Sequence, residues 1–153
     1  MDASELETYL RERIPLSRAM QVRVVEIGAE HLRVVAPLAP NINHRATVFG
    51  GSAAAAAMLA AWGLLYVRLH REQRPARLVI QRCTMEFLQP IDADFAAVST
   101  LGAGEDWSRF LAGIERKGRA RIAVRVDLES RDQRVGEFTG EFVALRLSED
   151  AGN

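Results

Sequence analysis

The stretch "FGGSAAAAAMLAAWGLLYV" (residues 49–67) opens on two glycines, runs through five consecutive alanines and meets its next charge only at Arg68. Taken back to Ala46, 22 uncharged residues separate Arg45 from Arg68, and about 20 predominantly apolar residues can cross a bilayer as a helix. Length leaves a membrane span open, so composition decides. Insertion is driven by Leu, Ile, Phe and Val, each worth a few tenths of a kcal/mol, and only Val48, Phe49, Leu59, Leu64, Leu65 and Val67 belong to that set. Alanine and glycine fill half the window. The segment "MDASELETYLRER" (1–13) also lacks the basic start, apolar core and small-residue cleavage site of a signal peptide. The stretch reads as one unusually buried helix of a soluble protein.

Composition agrees. A chain of 153 residues suits one domain, residues 1–153, with a substantial core, and 48% hydrophobic with 26% charged residues is a globular balance. Twenty basic and twenty acidic residues cancel, which removes the usual argument for a nucleic-acid or anionic-membrane partner. The locally basic "RKGRARIAVR" (116–125) interleaves its charges with apolar residues and reads as the wet face of a strand. The single cysteine, Cys83, cannot form an internal disulfide, and no Cys/His spacing suggests a metal site. The expected setting is a reducing cytoplasm, with no metal and no cofactor.

Along the chain, Ser4 followed by Glu7 has the form of a capping box, predicting a short helix over 4–13 that ends before Pro15. "MQVRVVEIG" and "HLRVVAPL" are β-branched runs that predict a hairpin. After "APNINHRAT" the long helix is predicted over 50–70, with Met58, Trp62, Leu65 and Leu69 on one face. From Leu78 the period falls to two, through "LVIQRCTMEFLQPI", "DFAAVSTLG", "SRFLAGIER", "RARIAVRVDLE" and "VGEFTGEFVALRL". In the fourth of these, Ile122, Val124, Val126 and Leu128 share one face. The order is helix, two strands, long helix, four strands, with no repeat and no linker.

A strongly curved antiparallel sheet wrapped around one central helix explains that order. A helix enclosed by a sheet needs small residues where backbones approach, and alanine supplies them at the best helix propensity. A free edge strand on such a sheet predicts pairing with a second copy.

These residues resemble a known family. "APLAPNINHRATVFGGS" leading into "MLAAWGLL" is similar to the hotdog-fold acyl thioesterases, most closely to the branch also found fused behind acetyltransferase domains. The resemblance rests on Asn41, Asn43, Thr47, Phe49, Gly51 and Ser52, on Trp62 and Gly63, and on "MEFLQPI" as a Pro-ending strand. It implies an α+β hotdog fold with a short N-terminal helix, in a homodimer that often pairs further into a tetramer. It further implies two active sites at the subunit interface, with the thioester carbonyl at the N-terminus of the central helix. The pantetheine arm of coenzyme A or of an acyl carrier protein enters from the surface.

Physical chemistry supports that placement independently. A helix start presents unpaired N–H groups and a partial positive charge, suited to the oxyanion formed when water attacks a thioester. Gly50 and Gly51 permit close approach there, and Gly51 N–H is the expected donor. Asn41 and Asn43 either shape the loop or hold the water or thioester oxygen. Ser52 and Thr47 are read first as structural hydroxyls, with a role at the site as the alternative. His44 is either a surface residue or a general base, while His31 and His70 have structural explanations. Cys83, placed on a face with Val79, Met85 and Phe87, is expected to be a buried, inert thiol.

Many hotdog enzymes carry an Asp or Glu in the central helix about two turns after the glycines, whereas here no acid lies between Gly51 and His70 and Met58 stands near that place. Glu105 and Asp106, reaching a neighbouring subunit's site, and Glu86 are the candidate replacements. Met58, Leu59, Trp62 and the partner's surface would set the depth of the acyl pocket, Trp107 could line it, and Phe49 is a further substrate-binding candidate. Three functions compete: a hydrolase, a protein that binds acyl-CoA or acyl carrier protein without hydrolysis, and, last, a hydratase, which would need an acid that the loop lacks.

Overall fold

Asp2, not Ser4, starts the first helix of the computed structural model, which describes residues 1–147. α1 spans Ala3–Arg13; the Asp2 carboxylate accepts from Glu5 N–H at 2.9 Å and the Glu5 carboxylate accepts from Asp2 N–H at 2.8 Å. The expected box fails because tertiary contacts claim Glu7, whose carboxylate accepts from Val24 N–H at 2.9 Å and pairs with Arg11 at 2.9 Å. Pro15 ends α1 and, at a first helical position that needs no N–H donor, opens a short α2 (Pro15–Ala19) that the sequence pattern did not predict.

Six strands form one antiparallel sheet in the order β1-β2-β4-β5-β6-β3. They are β1 (Arg23–Ile27), β2 (His31–Ala36), β3 (Ala76–Phe87), β4 (Phe95–Leu101), β5 (Arg119–Ser130) and β6 (Gln133–Arg146). Alternation on β5 is as predicted: Ile122, Val124, Val126 and Leu128 are buried, while Arg121 and Arg125 are exposed.

The long helix, α3 (Gly50–Arg71), packs against β2, β3, β4, β5 and β6. It is long and apolar enough to span a membrane, but 61% of its apolar 18-residue stretch is buried inside the fold. Its alanines have the predicted use. Ala53, Ala56, Ala57, Ala60 and Ala61 are all buried, and the fully buried Ser99 of β4 reaches the helix backbone, its Oγ 2.9 Å from Ala60 O and 3.2 Å from Leu32 O. The Met58, Trp62, Leu65, Leu69 face divides. Leu65 and Leu69 are buried, but Met58 and Trp62 are half-buried, because α1 rather than the sheet covers that flank. There Trp62 stacks on Tyr66 with centroids 4.5 Å apart, and Tyr9 of α1 stacks on Tyr66 at 4.9 Å.

Two expectations are corrected. "SRFLAGIER", grouped with the period-two segments, lies in an amphipathic helix, α4 (Trp107–Lys117). Asp106 caps its start by accepting from Arg109 N–H at 3.0 Å, Gly118 ends it at φ 71°, and Phe110 and Ile114 face the core. Cys83 is exposed, not buried. β3 bonds only to β6 and is the last strand of the sheet, and Gly140 opposite Cys83 offers no side chain to cover it. A bulge between Ile80 and Arg82 also reverses the alternation, turning the exposed Val79 away from the face that Met85 and Phe87 share.

Candidate active site

The loop before α3 is held by two asparagines with different tasks. Asn41, 2% exposed, closes a 3₁₀ turn (Ala39–Asn41) and donates through Nδ2 to Met20 O at 2.9 Å and Pro37 O at 2.8 Å. Its carbonyl accepts from Phe49 N–H at 2.7 Å, and its Oδ1 is buried with no partner among the described residues. Asn43 organises the loop tip. Its Oδ1 accepts from Arg45 N–H at 2.8 Å and Thr47 N–H at 3.2 Å, and its Nδ2 donates to Thr47 Oγ1 at 2.9 Å. The tip is tight enough to hold Ala46 in the left-handed region at φ 60°. Both amides therefore have structural partners, and the Thr47 hydroxyl is bonded to Asn43. His44 lies exposed at the tip.

Val48 N–H donates to Ile91 O at 2.7 Å, which ties this loop to the segment after β3. Phe49 is then the N-cap of α3 and provides no side-chain cap; its carbonyl accepts from Ala53 N–H at 3.1 Å. Ser52, read as a capping hydroxyl, is instead the third residue of the helix and caps nothing. The N–H groups of Gly50, Gly51 and Ser52 thus have no acceptor among the described residues. A helix start carries a partial positive charge and open donors, which suits an oxyanion.

Those donors adjoin an apolar crevice of about 340 Å³ lined by Val48, Gly50, Ala53, Phe87, Leu88 and Ile91, with Gln89 its one polar side chain and no titratable group. A Cβ at Gly50 would stand 3.3 Å from the Phe87 ring, and one at Gly51 only 2.4 Å from the Phe49 ring. The two rings flank the helix start and are 58% (Phe49) and 57% (Phe87) exposed. Nothing in the local pattern of "FLQPI" had singled out Phe87, Leu88 or Ile91 as site residues. Phe87 and Leu88 are marked only by their exposure, large apolar side chains left in water, while Ile91 is buried.

The other predicted residues lie apart within one chain. Met58 is eight residues along α3 from Gly50, about 12 Å at 1.5 Å per residue, and Trp62 lies a turn beyond it, stacked under α1. Glu105 and Asp106 sit near the opposite end of α3, beside Arg68. The Glu105 carboxylate accepts from Ala123 N–H at 3.0 Å and Asp106 caps α4. Glu86 alternates with Phe87, whose ring meets Gly50, so Glu86 points to the other face of the sheet, where its register partner is Glu137. His31 pairs with Glu26 at 2.8 Å, and His70 is exposed at the end of α3.

A family model described as "Putative thioesterase (yiiD_Cterm)" matches residues 3–146. Among solved structures, a protein of unknown function from Chlorobaculum tepidum is 27% identical with a TM-score of 0.87, covering 95% of this chain and 94% of that one. A "putative thioesterase" from Shewanella oneidensis is 24% identical with a TM-score of 0.84, covering 94% of this chain and 96% of that one. A Pseudomonas aeruginosa protein described as a "probable thioesterase" is 18% identical with a TM-score of 0.82, covering 96% and 97%. No curated protein matches the chain.

Proposed function

Since the chain is a hotdog-fold member of this thioesterase family, we propose that it hydrolyses an acyl-CoA or acyl-carrier-protein thioester at the start of α3. One observation carries the reading: Gly50, Gly51 and Ser52 present three N–H groups with no acceptor among the described residues, beside a crevice of apolar side chains. The carbonyl oxygen sits on Gly51 N–H, with Ser52 N–H next to it. Water adds through its oxygen to the carbonyl carbon, and the helix start holds the oxyanion. A single preorganised donor of this kind is worth roughly a hundredfold to a thousandfold in rate. Collapse breaks the carbon–sulfur bond and expels the carrier's thiolate, which takes up the proton that the base removed from water. Phe49, Phe87 and Leu88 exclude bulk water, and Met58 and Trp62 bound the acyl end.

The base comes from outside the crevice: His44 at the loop tip, or a carboxylate of a second copy. β3 is an edge strand of 12 residues with open backbone groups, and edge strands of this kind pair with copies of themselves. Antiparallel pairing of two β3 strands about a two-fold axis brings the Phe87 end of one to the Ala76 end of the other. The start of each α3 then faces the end of the other protomer that holds Glu105 and Asp106. On this reading residues 1–153 form one domain of a homodimer or dimer of dimers, working in the cytoplasm, where one unpaired cysteine is unremarkable. The Asn-x-Asn to Gly-Ser stretch supports placement in the branch also found behind acetyltransferase domains.

The absence of a titratable group from the crevice favours one alternative, a protein that binds the thioester without cleaving it. Purified protein incubated with a panel of acyl-CoAs and a thiol-reactive dye separates the two. Release of free thiol above buffer supports hydrolysis. Binding of a non-hydrolysable analogue with no release by any acyl chain leaves the binding protein.

A further inference from the structure

The basic segment 116–125, read from sequence as the wet face of a strand, spans the end of α4 and the start of β5, and its exposed cations border a hollow. Arg109 and Lys117 of α4 and Arg119 and Arg121 of β5 line one hollow of about 290 Å³. None of the four pairs with an acid among the described residues, although Arg33, Arg74, Arg125, Arg131 and Arg134 all do. Two acids share the hollow, and both already accept from backbone: Glu105 from Ala123 N–H and Asp106 from Arg109 N–H. Beyond Gly104 the hollow continues into a second of about 620 Å³. There the Arg68 guanidinium lies 4.3 Å over the Trp107 ring, with Glu30 as a further acid on the wall.

We infer that this double hollow binds the phosphorylated adenosine end of coenzyme A. Uncompensated arginines are matched in charge and geometry to phosphate oxygens, and the stacked Arg68–Trp107 pair gives a planar surface beside them on which a purine can lie. A concave site with phosphate-binding cations on one side and a flat cationic face on the other fits a phosphorylated nucleoside. It fits less well the convex acidic helix of a carrier protein. The inference rests on the thioesterase reading and selects the coenzyme A ester as its substrate class. In the two-fold pairing of β3, the hollow of one protomer lies at the end where the α3 start of the other is found, so one copy holds the nucleotide while the other holds the thioester.

Calorimetric titration of the full chain with adenosine 3′,5′-bisphosphate tests this, with inorganic phosphate as a second arm and the Arg119→Gln/Arg121→Gln and Arg131→Gln variants as comparators. The wild type is expected to bind the bisphosphate more tightly than inorganic phosphate. The double variant should weaken bisphosphate binding at least tenfold at an unchanged melting temperature, and Arg131→Gln should leave it unaltered. For hydrolysis, the double variant should raise KM for an acyl-CoA with little change in kcat and leave an acyl-pantetheine unaffected. Absence of saturable bisphosphate binding overturns the inference, as does equal weakening by Arg131→Gln or a double variant that loses only an acidic acyl carrier protein. Bisphosphate binding without hydrolysis of any thioester leaves this site standing and removes the hydrolase; hydrolysis without bisphosphate binding does the reverse.

Discussion

The ring of Phe49 lies against Gly51, close enough that a Cβ on that glycine would stand 2.4 Å from the nearest ring carbon. An exposed aromatic thus rests on the residue whose N–H is proposed to hold the thioester oxygen. Gly51→Ala keeps the N–H but forces the ring aside. Because alanine favours a helix over glycine by about 1 kcal/mol, the melting temperature should hold or rise while kcat/KM in the thiol-release assay falls at least tenfold. An undiminished rate would show that the carbonyl is not held there.

Asn41 anchors the loop. Asn41→Ala leaves the carbonyls of Met20 and Pro37 without their donor in a buried place, and unpaired buried groups cost about 1–3 kcal/mol. Chemical denaturation should register a loss of about 2 kcal/mol, with activity reduced as the loop shifts from the start of α3.

His44→Ala separates the two sources of the base. If His44 takes the proton from water, kcat should drop by roughly a hundredfold with KM little altered. A rate equal to the wild type turns the search to Glu105→Gln and Asp106→Asn variants of the second copy: a fall in kcat with either would put that acid at the carbonyl instead of beside the nucleotide.

Cys83, exposed near the middle of the edge strand β3, reports on strand pairing. If two β3 strands pair antiparallel with the two-fold axis at Cys83, the two thiols face each other across it, within the roughly 4.4–6.8 Å Cα separation that a disulfide bridges. Mild oxidation should convert the protein to a reducible dimer on denaturing gels. Cys83→Ser should remain uncross-linked while keeping the dimer mass by light scattering, and a monomer mass for the wild type would refute the pairing.

Alkaline stability should carry a tyrosine signature. Burial, and then the hydrogen bond with Tyr9, raise the Tyr66 pKa above its ordinary value of 10.0. The folded chain therefore holds that proton at pH values where the unfolded chain has lost it, so the contribution is complete below about pH 10 and is lost as pH rises through the folded value. The melting temperature should fall above pH 10, and the fall should be shallower in Tyr66→Phe.

The alanines of 53–61 identify a helix pressed against a sheet because close backbone approach is a demand on side-chain size, and size is written in the sequence. The alternation of Ile122 to Leu128 is readable for the same local reason. The loop motif likewise located the start of α3 and the glycines at it. Other features depended on partners distant in the chain. Ser4 and Glu7 form a valid capping box until Val24 N–H claims Glu7. Cys83 looks buried until its strand proves to be the last in the sheet. The crevice wall from Phe87 to Ile91 meets Gly50 only because the strand after α3 returns beside the helix start. The exposed cations of 116–125 border a hollow only because α4 and the start of β5 lie side by side. By itself the sequence determined that α3 is buried, where it begins and which face of β5 meets the core, since propensity and pattern act between near neighbours. Only the tertiary structure decided which edge stayed open, which groups lost their partners and which charges were gathered without forming ion pairs, because those depend on contacts between residues far apart in the chain.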